Sequence, residues 1–60
     1  MYEDYEYMLS QILDWAKSNS RFDDTTMRGI RDNYEEYGAF TTHQEDAIRR
    51  VYYSWKVDQW

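Results

Sequence analysis

Side-chain catalysis needs a nucleophile, an acid–base pair or a metal-ligand set at a workable spacing, and few residues of this 60-residue chain qualify. His43 is the only histidine. It can be drawn with Glu45 and Asp46 as a metal cluster, but the three crowd one helix start, do not share one face and bring no second histidine or cysteine. Asp23 and Asp24 form a carboxylate pair. A hydrolytic dyad, however, needs separate environments that push one pKa upward, and this pair stands where a helix cap places acids. The chain has no glycine-rich phosphate loop, no Ser-His-Asp set with supporting glycines, no HExxH and no calcium-loop pattern. These residues predict a protein that is not an enzyme, with no catalytic residue, metal site or cofactor.

The chemistry that remains is recognition. Seven tyrosines, Tyr2, Tyr5, Tyr7, Tyr34, Tyr37, Tyr52 and Tyr53, exceed what a small core can bury with every hydroxyl bonded, so several are expected at its edge. Tyrosine gives rigid contact area at little entropic cost, and carboxylates beside it accept hydrogen bonds from a partner's Arg or Lys. The candidate protein-binding residues are Tyr2, Glu3, Asp4, Glu6, Tyr7, Asp32, Glu35, Glu36 and Tyr53. Twelve acids against seven bases give a net charge of −5, which disfavours a protein that works by neutralising many phosphates. The acidity is local: residues 1–20 carry about −3, residues 21–40 about −2 and residues 41–60 about zero. The alternative is nucleic-acid binding by Arg21, Arg28, Arg31, Arg49, Arg50 and Lys56, helped by stacking aromatics. Against it, Glu45 and Asp46 stand at the start of the third helix, where a groove reader needs bases or amides.

Three amphipathic segments must position these side chains. Tyr5, Met8, Leu9, Ile12, Leu13, Trp15 and Ala16 share one arc of a first helix over residues 3–18, with acids at its start and Lys17 near its end. Tyr7 projects away from that arc, and Asn19 is expected to end the helix in the left-handed conformation. A second helix over 24–37 is announced by Asp23 as cap and by a Phe22–Met27 staple. Met27, Ile30, Tyr34 and Tyr37 form its apolar stripe, Gly29 lies off that stripe and Gly38 ends the helix. The third, over 42–57, opens with two overlapping capping boxes, Thr41 with Gln44 and Thr42 with Glu45. Ala47, Ile48, Val51, Tyr52 and Trp55 follow on one face, with Tyr53 nearly opposite. Spacing predicts ion pairs Arg28–Asp32, Arg31–Glu35, Glu45–Arg49 and Asp46–Arg50. Asp58-Gln59-Trp60 is expected as a frayed tail, or with Trp60 folded back on the bundle.

Such stripes can be buried only against one another, so the expected fold is all-α: a compact three-helix bundle forming a single domain over residues 1–60. Without cysteine, an apolar membrane-length window or a signal-type N-terminus, a soluble cytoplasmic protein is expected.

The runs W-A-K-S-N-S-R-F-D from Trp15, G-A-F-T-T-H-Q-E-D-A-I from Gly38 and V-Y-Y-S-W from Val51 resemble a small helical module of bacteriophage proteins, sometimes attached to DNA-metabolism proteins. Trp15, Asn19, Phe22, Gly38, Phe40, Thr41, Gln44, Ala47 and Ile48 match its structural pattern, which carries no catalytic residue. The resemblance implies a phage accessory protein acting in the host cytoplasm on host or phage machinery. Together with the acidic tyrosine-rich surface, it leads to the expectation of an inhibitor that mimics nucleic acid and binds the basic surface of a nucleic-acid-processing protein. A self-associating structural protein is the further alternative.

Overall fold

The computed structural model describes residues 4–59, so Tyr2, Glu3 and the expected return of Trp60 lie outside the described residues. The architecture is the expected all-α three-helix bundle: α1 spans Tyr5–Ala16, α2 Thr25–Tyr37 and α3 Thr42–Ser54, and a 3-10 turn follows at Val57–Gln59. None of the helices is long and apolar enough to cross a membrane, among the described residues. The first helix packs against α2, α3 and the 3-10 turn, which makes it the centre of the fold. The molecule measures 28 × 27 × 16 Å, thin enough to leave few positions out of reach of solvent. Its buried core is Met8, Leu9, Ile12 and Trp15 from α1, Met27 and Ile30 from α2, Ile48 from α3 and Val57 beyond it. Ile12 and Ile48 are sealed completely. Partly buried Tyr5, Leu13, Phe22, Phe40, Val51 and Tyr52 pack around this cluster.

Caps set the helix limits. Asp4 starts α1 by accepting the Tyr7 N–H at 3.1 Å, so the helix begins two residues later than the spacing suggests. At its far end Asn19 does not take the left-handed conformation; its side-chain amide instead donates to the Trp15 carbonyl at 3.0 Å, which also accepts the Ser18 N–H at 3.0 Å. The cap position of α2 falls to Asp24, one residue later than expected. Asp23 accepts both the N–H and the hydroxyl of Thr25 in a local turn, at 3.0 and 2.6 Å. This shift removes the Phe22–Met27 staple register, and Phe22 packs its ring against Trp15 and Trp55. Of the two overlapping capping boxes at α3, Thr41 with Gln44 is the one formed, with both reciprocal bonds present.

Three further expectations are corrected. Tyr37 is 73% exposed. Tyr34 already meets Glu6 in the first turn of α1, so a side chain one turn further along α2 passes the start of its neighbour. Trp55 is half-exposed: it closes the edge of an aromatic cluster, 5.6 Å from Trp15 and 5.3 Å from Phe22. The third helix stops at Ser54, because Lys56 takes a left-handed φ of 56° and turns the chain so that Val57 enters the core. Asp58 and Gln59 therefore belong to an ordered turn and not to a frayed tail.

The two glycines and Lys56 yield opposite expectations. A Cβ at Gly29 would meet nothing within 4 Å on an exposed helical position, so Gly29→Ala should raise unfolding free energy by about 0.5–1 kcal/mol. Gly38 sits at φ 74°, so Gly38→Ala should lower it by roughly 1 kcal/mol despite the same open space. Lys56→Gly should stabilise by about 0.5–1 kcal/mol through relief of the left-handed strain, less the extra freedom of the unfolded chain. Urea denaturation of the three variants checks all three signs.

Candidate protein-binding surface

The outer side of α1 joins two groups of candidate residues. On the flank towards α3, Tyr7 and Tyr53 stand 56% and 50% exposed. Tyr52, half-buried between α1 and α3, lies between them: its ring meets Tyr53 edge to face at 5.3 Å, and Tyr7 is near enough to act on its charge state. Gln11, one turn along α1, donates its amide to the Tyr7 hydroxyl at 3.0 Å and fixes that ring's direction. Burial, then the neighbouring Tyr7, Asp58 and Tyr53, hold the Tyr52 hydroxyl above the ordinary phenol range. The two tyrosines that periodicity left without a core role are thus parts of one aromatic patch.

On the other flank α1 and α2 enclose an open groove of about 420 Å³, floored by Leu9, Leu13 and Phe40 and walled by Glu6, Tyr34 and Glu35. Glu6 accepts the Tyr34 hydroxyl at 2.7 Å, a bond that ties the start of α1 to the end of α2. Asp14 with Lys17 at 3.7 Å and Arg31 occupy the far end. A smaller depression of about 210 Å³ shares Glu6, Tyr34 and Phe40 and adds Asp4, Tyr5 and Glu45. Successive residues of a helix diverge by about 100°, so Glu6 and Tyr7 carry the acidic groove and the aromatic patch on adjoining sides of α1.

The remaining acids are more dispersed. Asp32 and Glu36 are exposed on α2, and Asp32 lies 3.6 Å from Arg31. Neither the Arg28–Asp32 nor the Arg31–Glu35 pair forms among the described residues, and Glu35 is without an ion-pair partner there. On α3 Asp46 gathers both Arg49 and Arg50, at 3.0 and 2.9 Å; this accounts for the Asp46–Arg50 expectation and takes Arg49 to Asp46 in place of Glu45. The six basic residues of the nucleic-acid alternative are all exposed and spread over the α1–α2 turn, α2, α3 and the turn after it.

The two groups weighed for chemistry lie at the starts of α2 and α3. His43 is exposed in the first turn of α3, and no group of three metal-ligating side chains is assembled among the described residues. The Asp23 carboxyl is held below the usual carboxylate range by its bond from the Thr25 hydroxyl and then by the Thr25 N–H, the opposite of what a general acid requires. Sequence spacing missed Gln11, Tyr52, Asp58, Phe40 and Glu45 as parts of this surface. Tyr52 was visible as a core residue and Glu45 as a capping candidate, but their convergence with α1 is a property of helix packing. Comparison with protein-family models, curated proteins and solved structures finds no match for this chain.

The raised Tyr52 hydroxyl fixes a sign for alkaline stability. A group that holds its proton more tightly when folded contributes stability in full below its unfolded pKa, near 10, and loses it as pH rises through the folded value. Unfolding free energy should therefore fall as pH climbs above about 10, and Tyr52→Phe should flatten part of that fall. Denaturant midpoints across the alkaline range, with tyrosinate absorbance followed in parallel, provide the check.

Proposed function

We propose that this protein is a non-catalytic binding domain that docks, through the outer side of α1 and its two flanks, onto a basic surface of another protein. The observation that carries the reading is the juxtaposition of half-exposed Tyr7 and Tyr53 around Tyr52 with the Glu6–Tyr34–Glu35 groove, across one helix. Partly exposed tyrosines supply anchoring area with a hydroxyl for a wet rim, while neighbouring carboxylates select a cationic partner. Asp32 and Glu36 extend the negative field along α2. A protein that normally holds nucleic acid presents the matching basic surface, so an acidic inhibitor competing for that surface is the specific role proposed. Direct nucleic-acid binding is disfavoured by the pairing of Arg31, Arg49 and Arg50 with Asp32 and Asp46, which leaves less free positive charge for phosphates.

Capture from a bacterial extract tests this, using the natural chain, an acid-to-amide variant (Glu6→Gln, Asp32→Asn, Glu35→Gln, Glu36→Gln) and an aromatic variant (Tyr7→Ala, Tyr53→Ala). The expected result is a basic protein that the natural chain retains, that salt releases, and that both variants lose. Retention unchanged in the amide variant would remove the electrostatic mechanism. A salt-sensitive mobility shift with DNA or RNA would favour the basic residues instead.

A further inference from the structure

We infer that the depression at the start of α1 is a seat for one arginine side chain of the partner protein; this rests on the binding reading above and names the group that would be recognised. Three carboxyl-bearing residues, Asp4, Glu6 and Glu45, and three aromatic ones, Tyr5, Tyr34 and Phe40, line about 210 Å³, and among the described residues no cationic one belongs to the lining. The larger groove beside it has Lys17 and Arg31 in its wall, so the smaller depression is where an incoming cation meets no like charge from the described residues.

The three carboxylates have different obligations. Asp4 caps α1 through the Tyr7 N–H. Glu6 has one oxygen on the Tyr34 hydroxyl, which orients it and leaves the other. Glu45 is half-buried, and its carboxylate accepts no hydrogen bond and makes no ion pair among the described residues. A half-buried carboxylate facing aromatic rings without a countercharge is the group whose environment a guanidinium would improve most. Tyr34 and Phe40 are stacked nearly parallel, with centroids 4.3 Å apart and planes 20° from parallel. A planar guanidinium extends such a stack and offers its forked N–H groups to carboxylates at the edge, which a lysine ammonium does not match in shape.

The test is an NMR titration of the isotope-labelled protein with three capped tripeptides, Gly-Arg-Gly, Gly-Lys-Gly and Gly-citrulline-Gly. The arginine peptide should shift backbone amides of Asp4–Tyr7, Tyr34, Ala39, Phe40 and Glu45 in a saturable way. The lysine peptide should bind more weakly, and the citrulline peptide should leave the spectrum unchanged. Since the Glu45 carboxylate has no hydrogen-bond or ion-pair partner among the described residues, Glu45→Gln should keep the fold and weaken the arginine peptide about tenfold or more. Equal binding of the lysine peptide, an undiminished response in Glu45→Gln, or shifts confined to the Asp14 and Glu35 end would each overturn the seat. In those cases partner capture that still depends on the acids would keep the broader binding reading intact. Absence of any peptide shift together with amide-insensitive capture would end both.

Discussion

Everything in this molecule depends on α1, which packs against α2, α3 and the 3-10 turn. A chain of this size hides only about 60% of its unfolded surface, and here the shortest dimension is 16 Å. Among the described residues, Ile12 on α1 and Ile48 on α3 are the two side chains wholly closed from solvent, and they belong to one cluster with the α2 residues Met27 and Ile30. Around so small a centre the edges have to be closed by large, partly wet side chains. Trp15, Phe22 and Trp55 close one edge by mutual ring contacts, and Tyr34 with Phe40 closes another. The proposed binding surface grows from this requirement, because rings used as edge seals remain available on their outer sides.

Tyrosine suits that position better than phenylalanine would. The ring can cover core atoms while the hydroxyl is satisfied outside, and the two bonds seen do different things. Tyr34 reaches across to Glu6 on α1 and so joins two helices; Tyr7 receives Gln11 from its own helix and is held in one direction. An aromatic side chain already fixed in direction loses less freedom on contact with a partner, which favours it as an anchor. Tyr52 is placed differently. Its hydroxyl is partly desolvated between its neighbours, and it supports the exposed rings instead of presenting itself.

What could be read from the chain alone divides by the range of the interaction. The three helices, the Gly38 stop and the Thr41–Gln44 box are local, set by periodicity and by groups within a few residues of each other, and these were legible. The end of α3 was not, since no glycine or proline marks it. Lys56 accepts a left-handed backbone so that Val57 can be buried against the core, a tertiary gain that overrides a local preference. Tyr37 shows the same division: it lies on the expected stripe, but where α1 begins decides whether that stripe has anything to cover it. For the surface, the outward projection of Tyr7 and Tyr53 was visible from single helices. The meeting of Glu45 and Phe40 with Glu6 and Tyr34 was not, because it needs three segments to be brought together.

The arrangement of charge also separates attraction at a distance from recognition in contact. On α3 Asp46 lies against both Arg49 and Arg50 and cancels part of their positive charge locally, so the basic residues there project a reduced field. Glu35, Glu36 and Glu45 have no such partner among the described residues, and the field on the α1–α2 side is left predominantly negative. Exposed charges act over about 8–10 Å at ordinary ionic strength, far enough to orient an approaching basic surface but too weakly to hold it. Retention has to come from groups that lose water on contact, and the aromatic patch and the Tyr34–Phe40 stack are the groups able to do so. A partner surface that was basic but smooth would therefore be drawn to α1 without staying; one that also projects a planar cation beside an apolar side chain would satisfy both flanks at once.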